Sequence, residues 1–284
     1  MHSGGKSGRE RFPFLNREAV MLKAVAFDLD DTLLRDDLSI SDYTLDVLNR
    51  LHTKGVMIIP ASGRTFRSML PFVQRLGCAD YLISCNGAEI RPAACPDKLI
   101  FRAFFPPETM LKMIAFADKN NCYAQTYDEE RFYYNRDGEY ADLYARASVL
   151  KGTRVEDLAA FADRALSKML LVDHPERIAA LYDEATRIFR GIASVTCSKP
   201  YFLEFNPPEA TKGFALKRIF EANGIFSSEA VAFGDSLNDL SMLSVCGRGI
   251  CVQNARKELL SCCDEVCPSN QEDGVARFLE EQYL

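Results

Sequence analysis

Within "AVAFDLDDTLL", Ala24 to Leu34, an apolar run ends at Asp28, and Asp30, Asp31 and Thr32 follow at once. Carboxylates this close repel one another, the more so in a dry cleft. They need a cation. Chemically similar groups recur where later apolar runs end. Ser62, Gly63 and Arg64 follow "VMIIPA", Asn86 and Gly87 follow "YLISC", and "GDSLND" (Gly234 to Asp239) follows "AVAF". Thr211 and Lys212 stand just before a helical pattern. Asp28, Asp30 and Asp235 offer oxygen ligands only, with no His or Cys nearby, which is the set Mg²⁺ takes. Lys212, Ser62 and the Gly63 amide add positive charge and hydrogen-bond donors. Carboxylates, a hard divalent ion, a lysine and a hydroxyl together make a phosphoryl-transfer site.

Each group has a plainer reading. Asp28-x-Asp30-x-Thr32 resembles the start of a calcium loop, but Leu33 occupies the position where that loop turns on Gly, and Ser39 that of its bidentate Glu. Asp31 or Asp36 alone would serve as a helix cap. Ser62 alone is a turn residue and Lys212 alone a solvated helix-start lysine. Their joint appearance in this order favours chemistry.

The elements that must position these groups alternate. "LKAVAFD" reads as a strand, and "ISDYTLDVLNRLHTKG" as a helix capped by Ser41 and stopped by Gly55. "VMIIPAS" is a second strand, "FRSMLPFVQRLG" a helix and "YLISCNGAEI" a third strand. This order predicts a parallel sheet with right-handed crossovers, whose functional groups gather at the C-terminal strand ends. The middle is different. "KLIFRAFF", "CYAQTY", "RFYYN", "SKMLLVD", "ASVTCS" and "YFLEFN" are short strand-like segments around helices near 107–120 and 176–190, which predicts an antiparallel α+β unit. After "NPPEATKG" the first rhythm returns. The expected fold is α/β: a Rossmann-like parallel-sheet core, 21–88 and 207–284, split by an inserted α+β domain, 89–206. Residues 1–20 read as a polar extension without the apolar stretch of a secretory signal. Their "GGKSG" lacks the preceding strand and the spacing of a phosphate loop.

Composition narrows the partners. The chain has 284 residues, 48% hydrophobic, with a formal charge of -6. That is enough for a sizeable core and the wrong sign for a duplex nucleic-acid partner. No apolar run reaches the ~20 residues of a membrane span. The ten cysteines read as reduced thiols of a cytoplasmic protein, monomeric or weakly dimeric. Cys262, Cys263 and Cys267 lack zinc-site spacing and read as small buried hydrophobes. Tyr123, Tyr127, Phe132 and Tyr133 of the middle unit read as core before pocket.

"DLDDT", "SGR", "TKG" and "GDSLND" resemble the four motifs of the haloacid dehalogenase superfamily. The insertion after the third strand, with "ISCNGAEI" and "LEFNPPEATKG" at its edges, resembles the Cof-type branch and its large α/β cap. The resemblance implies an Mg²⁺-dependent phosphatase of small phosphorylated metabolites: sugar phosphates, pyridoxal phosphate or flavin-related phosphates. Asp28 would be the nucleophile. Asp30 would be the general acid, then base. The Asp28 carboxylate, the Asp30 main-chain carbonyl and Asp235 would hold the metal. Ser62, Gly63, Lys212 and Asn238 would bind phosphate, with Asp239 supporting Lys212. Two positions depart from the pattern. Asp31 stands where Gly is usual, and Ser62 where Thr is commoner. The rival readings are a phosphomutase or sugar-phosphate-specific phosphatase of a neighbouring branch, and a non-catalytic binding protein on the same scaffold, which would usually lack Asp28 or Asp30.

Overall fold

The computed structural model describes residues 21–127, 131–140, 142, 144, 150–164, 166–263 and 265–284, so the polar extension 1–20 lies outside the described residues. In chain order the strands are β1 (Ala24–Phe27), β2 (Met57–Pro60), β3 (Tyr81–Ser84), β4 (Glu89–Pro92), β5 (Phe101–Arg102), β6 (Tyr123–Tyr127), β7 (Arg131–Tyr134), β8 (Lys151–Arg154), β9 (Met169–Val172), β10 (Ser194–Thr196), β11 (Phe202–Asn206), β12 (Ala230–Gly234), β13 (Arg248–Val252) and β14 (Glu265–Cys267).

A five-stranded parallel sheet in the order β14-β13-β12-β1-β2 confirms the expected α/β core. β1 and β12 are "AVAF" and "AVAFG", buried at every position. Helices cover both faces of such a sheet, so its central strands are apolar without alternation. The Asp42–Thr53 helix between β1 and β2 starts where Ser41 accepts a hydrogen bond from the Thr44 amide at 3.0 Å.

The run "YLISCNGAEI" is two strands rather than one. β3 stops at Ser84, turns through Cys85 and Asn86 at φ 49° and 56°, and returns as antiparallel β4. Apolar residues at both ends hide the turn in the sequence, and the Asn-Gly pair is its chemical cause. Gly87 has φ 105°, and a Cβ there would lie 2.2 Å from the Thr211 carbonyl oxygen. Glycine therefore lets this turn press against the start of the Lys212–Asn223 helix.

The middle of the chain builds a six-stranded sheet in the order β10-β11-β9-β6-β7-β8. Its pairs are antiparallel except β7 with β8, which is parallel. The expected all-antiparallel pattern fails there because the connection 135–150 is long enough to return the chain in the same direction. Helices Pro107–Lys119 and Pro175–Ile188 pack on one face of the sheet, where Phe116, Phe189 and Phe205 meet edge-on. The strand period of two puts Leu203 and Phe205 on that face and Phe202, Glu204 and Asn206 on the other. The second face looks toward the C-terminal ends of the parallel sheet, since Glu204 bonds Asn86 and Lys168 bonds Gly63.

Tyr123, Tyr127, Phe132 and Tyr133 are buried in the core of this unit. The cysteines depart from expectation at one place, where Cys251 is joined to Cys263 as a disulfide. Cys262 is exposed and Cys267 buried, so the three-cysteine cluster is not one apolar group. Among the described residues, no helix is long and apolar enough to cross a membrane.

Candidate active site

Parallel register sets the first two groups side by side. Phe27 pairs with Phe233, and the Asp28 amide donates to the Phe233 carbonyl at 3.1 Å, so Asp28 and Asp235 leave adjacent strands at one edge. Ala61 hydrogen-bonds the Phe27 carbonyl at 2.9 Å, which brings Ser62 to the same edge. Lys212 enters from the first turn of its helix, capped by Thr211. Its ammonium is 0% exposed and donates to Asp28 Oδ1 at 2.5 Å and Asp239 Oδ1 at 2.6 Å. The other Asp239 oxygen accepts the amides of Asp235 and Ser236 at 3.0 and 3.1 Å. Thr32 donates to Asp235 Oδ1 at 3.1 Å.

Carboxylate oxygens of Asp28, Asp235 and Asp239 lie within 4.8 Å of one another, all buried. Burial pushes Asp28 well above the ordinary carboxylate range; Lys212 pulls it back, while Asp239, Asp235 and Asp30 push it further up. Asp235 is pushed up to about 7, by burial first and then by Asp239 and Asp31. Burial disfavours the Lys212 ammonium, but Asp239 and Asp28 outweigh it and hold the group charged, above its ordinary value. One lysine does not offset three buried carboxylates. A hard divalent cation on oxygen donors relieves that deficit, so the residues fit Mg²⁺. Asp28 and Asp235 are the carboxylates open to it, because Asp239 is taken by Lys212 and two amides.

Asp30 is held elsewhere. Arg64 grips its carboxylate at two points, 2.6 and 2.8 Å, so the side chain is turned into an ion pair. Burial works against the Arg64 charge, and the Asp30 pair more than restores it. Asp31 adopts φ 60° and pairs with Lys199. The backbone there is left-handed, which Asp tolerates better than most residues in place of Gly.

Asp28, Asp30, Ser62, Gly63, Asp235 and Asn238 line one cavity of about 170 Å³. Lys212 and Asp239 lie behind that lining, at the back of Asp28. Asn238 spends its amide inside the protein, donating to Asn86 Oδ1 at 3.0 Å and accepting from the Ser236 hydroxyl at 2.6 Å. The far wall comes from the second sheet and the segments beside it: Tyr144, Lys168, Lys199, Tyr201, Phe202 and Glu204. Sequence reasoning assigned none of these. The readable signal was a charged residue inside a strand, Glu204 in "YFLEFN", and a lysine abutting one, Lys168 before "MLLV".

The comparisons agree with this geometry. A family model described as haloacid dehalogenase-like hydrolase matches residues 25–279. A 5-amino-6-(5-phospho-D-ribitylamino)uracil phosphatase of Bacillus subtilis is 28% identical over 273 residues, covering 95% of this chain and 99% of its own. An HMP-PP phosphatase of Cronobacter sakazakii is 28% identical over 241 residues, covering 85% and 88%. A Thermotoga maritima protein of known crystal structure is 31% identical with a TM-score of 0.76, covering 92% of this chain and 97% of its own. With its motif residues gathered at one sheet edge and the family model spanning nearly its whole length, the chain belongs to the haloacid dehalogenase-like hydrolases.

Proposed function

We propose that the protein is an Mg²⁺-dependent phosphatase of small phosphorylated metabolites that works through an aspartyl-phosphate. One observation carries the reading: Asp28 stands at the end of β1, fixed by a fully buried lysine and flanked by Asp235, on the wall of a metabolite-sized cavity. Relatives named for small phosphorylated compounds support the substrate class.

In this reading Asp28 attacks phosphorus in line with the leaving oxygen. A bond from Asp28 to phosphorus forms, the ester bond breaks, and the leaving oxygen takes a proton from Asp30. Water then attacks the same phosphorus and gives its proton to Asp30. The bond to Asp28 breaks and inorganic phosphate departs. Ser62 and the Gly63 amide hold phosphate oxygens, Asn238 braces that wall through Asn86 and Ser236, Lys212 offsets the negative charge from behind Asp28, and Asp239 holds Lys212. Asp28, Asp235 and the Asp30 carbonyl would hold Mg²⁺, which when bound would supply charge neutralisation for the transferring group. Arg64 must release Asp30 before that carboxyl reaches the leaving oxygen, because the two-point ion pair holds it in place. Residues 89–206 act as a cap whose cavity-facing side chains choose the ester.

Two results follow. Asp30→Asn lowers kcat/KM for alkyl phosphates such as sugar phosphates by about 10²- to 10⁴-fold, the range of general acid–base catalysis. The loss is smaller for an aryl phosphate, whose leaving group needs less protonation. Steady-state rates on both ester types check this, and equal losses remove Asp30 from the acid role. Chelation stops phosphate release, Mg²⁺ restores it, and Ca²⁺ restores it poorly because its looser shell spoils the in-line arrangement. Release that persists in excess chelator, in protein verified metal-free, contradicts the metal assignment.

A further inference from the structure

Lys168 and Glu204 form a buried ion pair that the mechanism above does not use. Each is 3% exposed, and Lys168 Nζ reaches Glu204 Oε1 at 2.8 Å. Stability alone does not explain such a pair, since its desolvation commonly cancels its attraction and packed hydrophobic residues do as well. What distinguishes this one is where its remaining bonds go.

Lys168 also donates to the Gly63 carbonyl at 2.9 Å. The amide on the same peptide plane is that of Arg64, and in a trans peptide the C=O and N–H point in opposite directions. That amide donates to Ser62 Oγ at 3.1 Å. Holding the Gly63 carbonyl on one side therefore holds the Ser62 hydroxyl on the other, as an acceptor whose own hydrogen is left for a phosphate oxygen. Glu204 makes the matching link on its second oxygen. Asn86 Nδ2 donates to Glu204 Oε2 at 2.7 Å, and Asn86 Oδ1 accepts from Asn238 at 3.0 Å. The Asn86 amide bonds the Ser62 carbonyl at 3.0 Å. Ser198 fills the remaining position on Glu204 Oε1 at 3.0 Å.

We propose that Lys168, charged and held by Glu204, is a positioning residue for Ser62. Through one peptide plane it carries the seating of the second sheet into the phosphate-side turn. When that sheet is in place the Ser62 hydroxyl is aimed, and when it withdraws the turn loses its anchor. The inference rests on the reading of Ser62 as a phosphate ligand.

The test is a double-mutant cycle between Ser62 and the pair. Lys168→Met alone strands the Glu204 charge, so the variant used is Lys168→Met/Glu204→Gln, which leaves no orphan charge and keeps an acceptor for Asn86. Affinity for inorganic phosphate in the presence of Mg²⁺ is measured by calorimetry, beside kcat and KM for a phosphate ester and the thermal midpoint. The paired variant should fold with its midpoint little changed and bind phosphate about tenfold more weakly, the scale of one hydrogen bond to a charged group. Ser62→Ala should cost a similar factor, and the combined variant little more than either alone, because both remove the same contact. Multiplying losses, or unchanged phosphate affinity in the folded paired variant, overturn the positioning role. If that happens in a protein that hydrolyses esters, the functional reading stands and only this inference falls. A wild-type protein that neither binds nor releases phosphate takes down both.

Discussion

Asp28→Asn reduces phosphate release by more than about 10³-fold while the protein keeps its fold, as expected when a nucleophile acting with its partners is removed. The substitution is isosteric, so the strand edge and its bond to Phe233 persist. An amide does not attack phosphorus, and no neighbouring group takes over, because Asp235 would be engaged by the metal and Asp239 is bonded to Lys212 and two amides. The electrostatics favour the folded variant. Asp28 is driven up by burial and by three neighbouring carboxylates, so its neutral replacement relieves repulsion, and Lys212 keeps Asp239 as a partner. Purified protein checked by mass for deamidation should give a circular dichroism spectrum like the parent, a thermal midpoint equal or higher, and no turnover above background. Retained turnover removes Asp28 from the chemistry.

Lys212→Met damages fold and activity together. The ammonium is 0% exposed, as is Asp239, and Asp28 lies 2.5 Å away. Removing one member of a buried ion pair costs about 3–5 kcal/mol, because the partner charge is left in a dry site. For a chain of this size that lowers the thermal midpoint by roughly 10 °C. Adding Asp239→Asn separates the two effects. The amide oxygen still accepts the Asp235 and Ser236 amides, the fully buried charge on Asp239 is gone, and of the two partners of Lys212 only Asp28, on the cavity wall, stays charged. Lys212→Met/Asp239→Asn should therefore recover most of the lost midpoint and none of the lost turnover. Recovery of both would make Lys212 a structural residue only.

Much of the site could be read from the chain because a parallel sheet collects strand ends. Once "AVAFD", "VMIIPAS" and "AVAFGD" are recognised as strands, Asp28, Ser62 and Asp235 must share an edge whatever the details. The Asp31 departure was readable too, since a left-handed position tolerates Asp. Other features depended on contacts that no local pattern encodes. Arg64 sits in a quoted motif, but its grip on Asp30 spans 34 residues and is set by how the two turns face each other. The turn inside "YLISCNGAEI" was masked by apolar residues on both sides of Asn86-Gly87. β8, "KGTR", has no apolar alternation and is largely exposed, so it carried no strand signal. Glu204 was visible in hindsight as the charged member of an alternating strand between two partners, a position where a carboxylate needs buried donors.

The central claim is that phosphoryl transfer passes through Asp28 rather than directly to water, and the stereochemical course at phosphorus tests it without requiring any intermediate to accumulate. A chiral thiophosphate ester is hydrolysed in isotopically labelled water and the configuration of the released thiophosphate is determined. Two successive in-line displacements, onto Asp28 and then onto water, give net retention. Net inversion means a single displacement by water and contradicts the account.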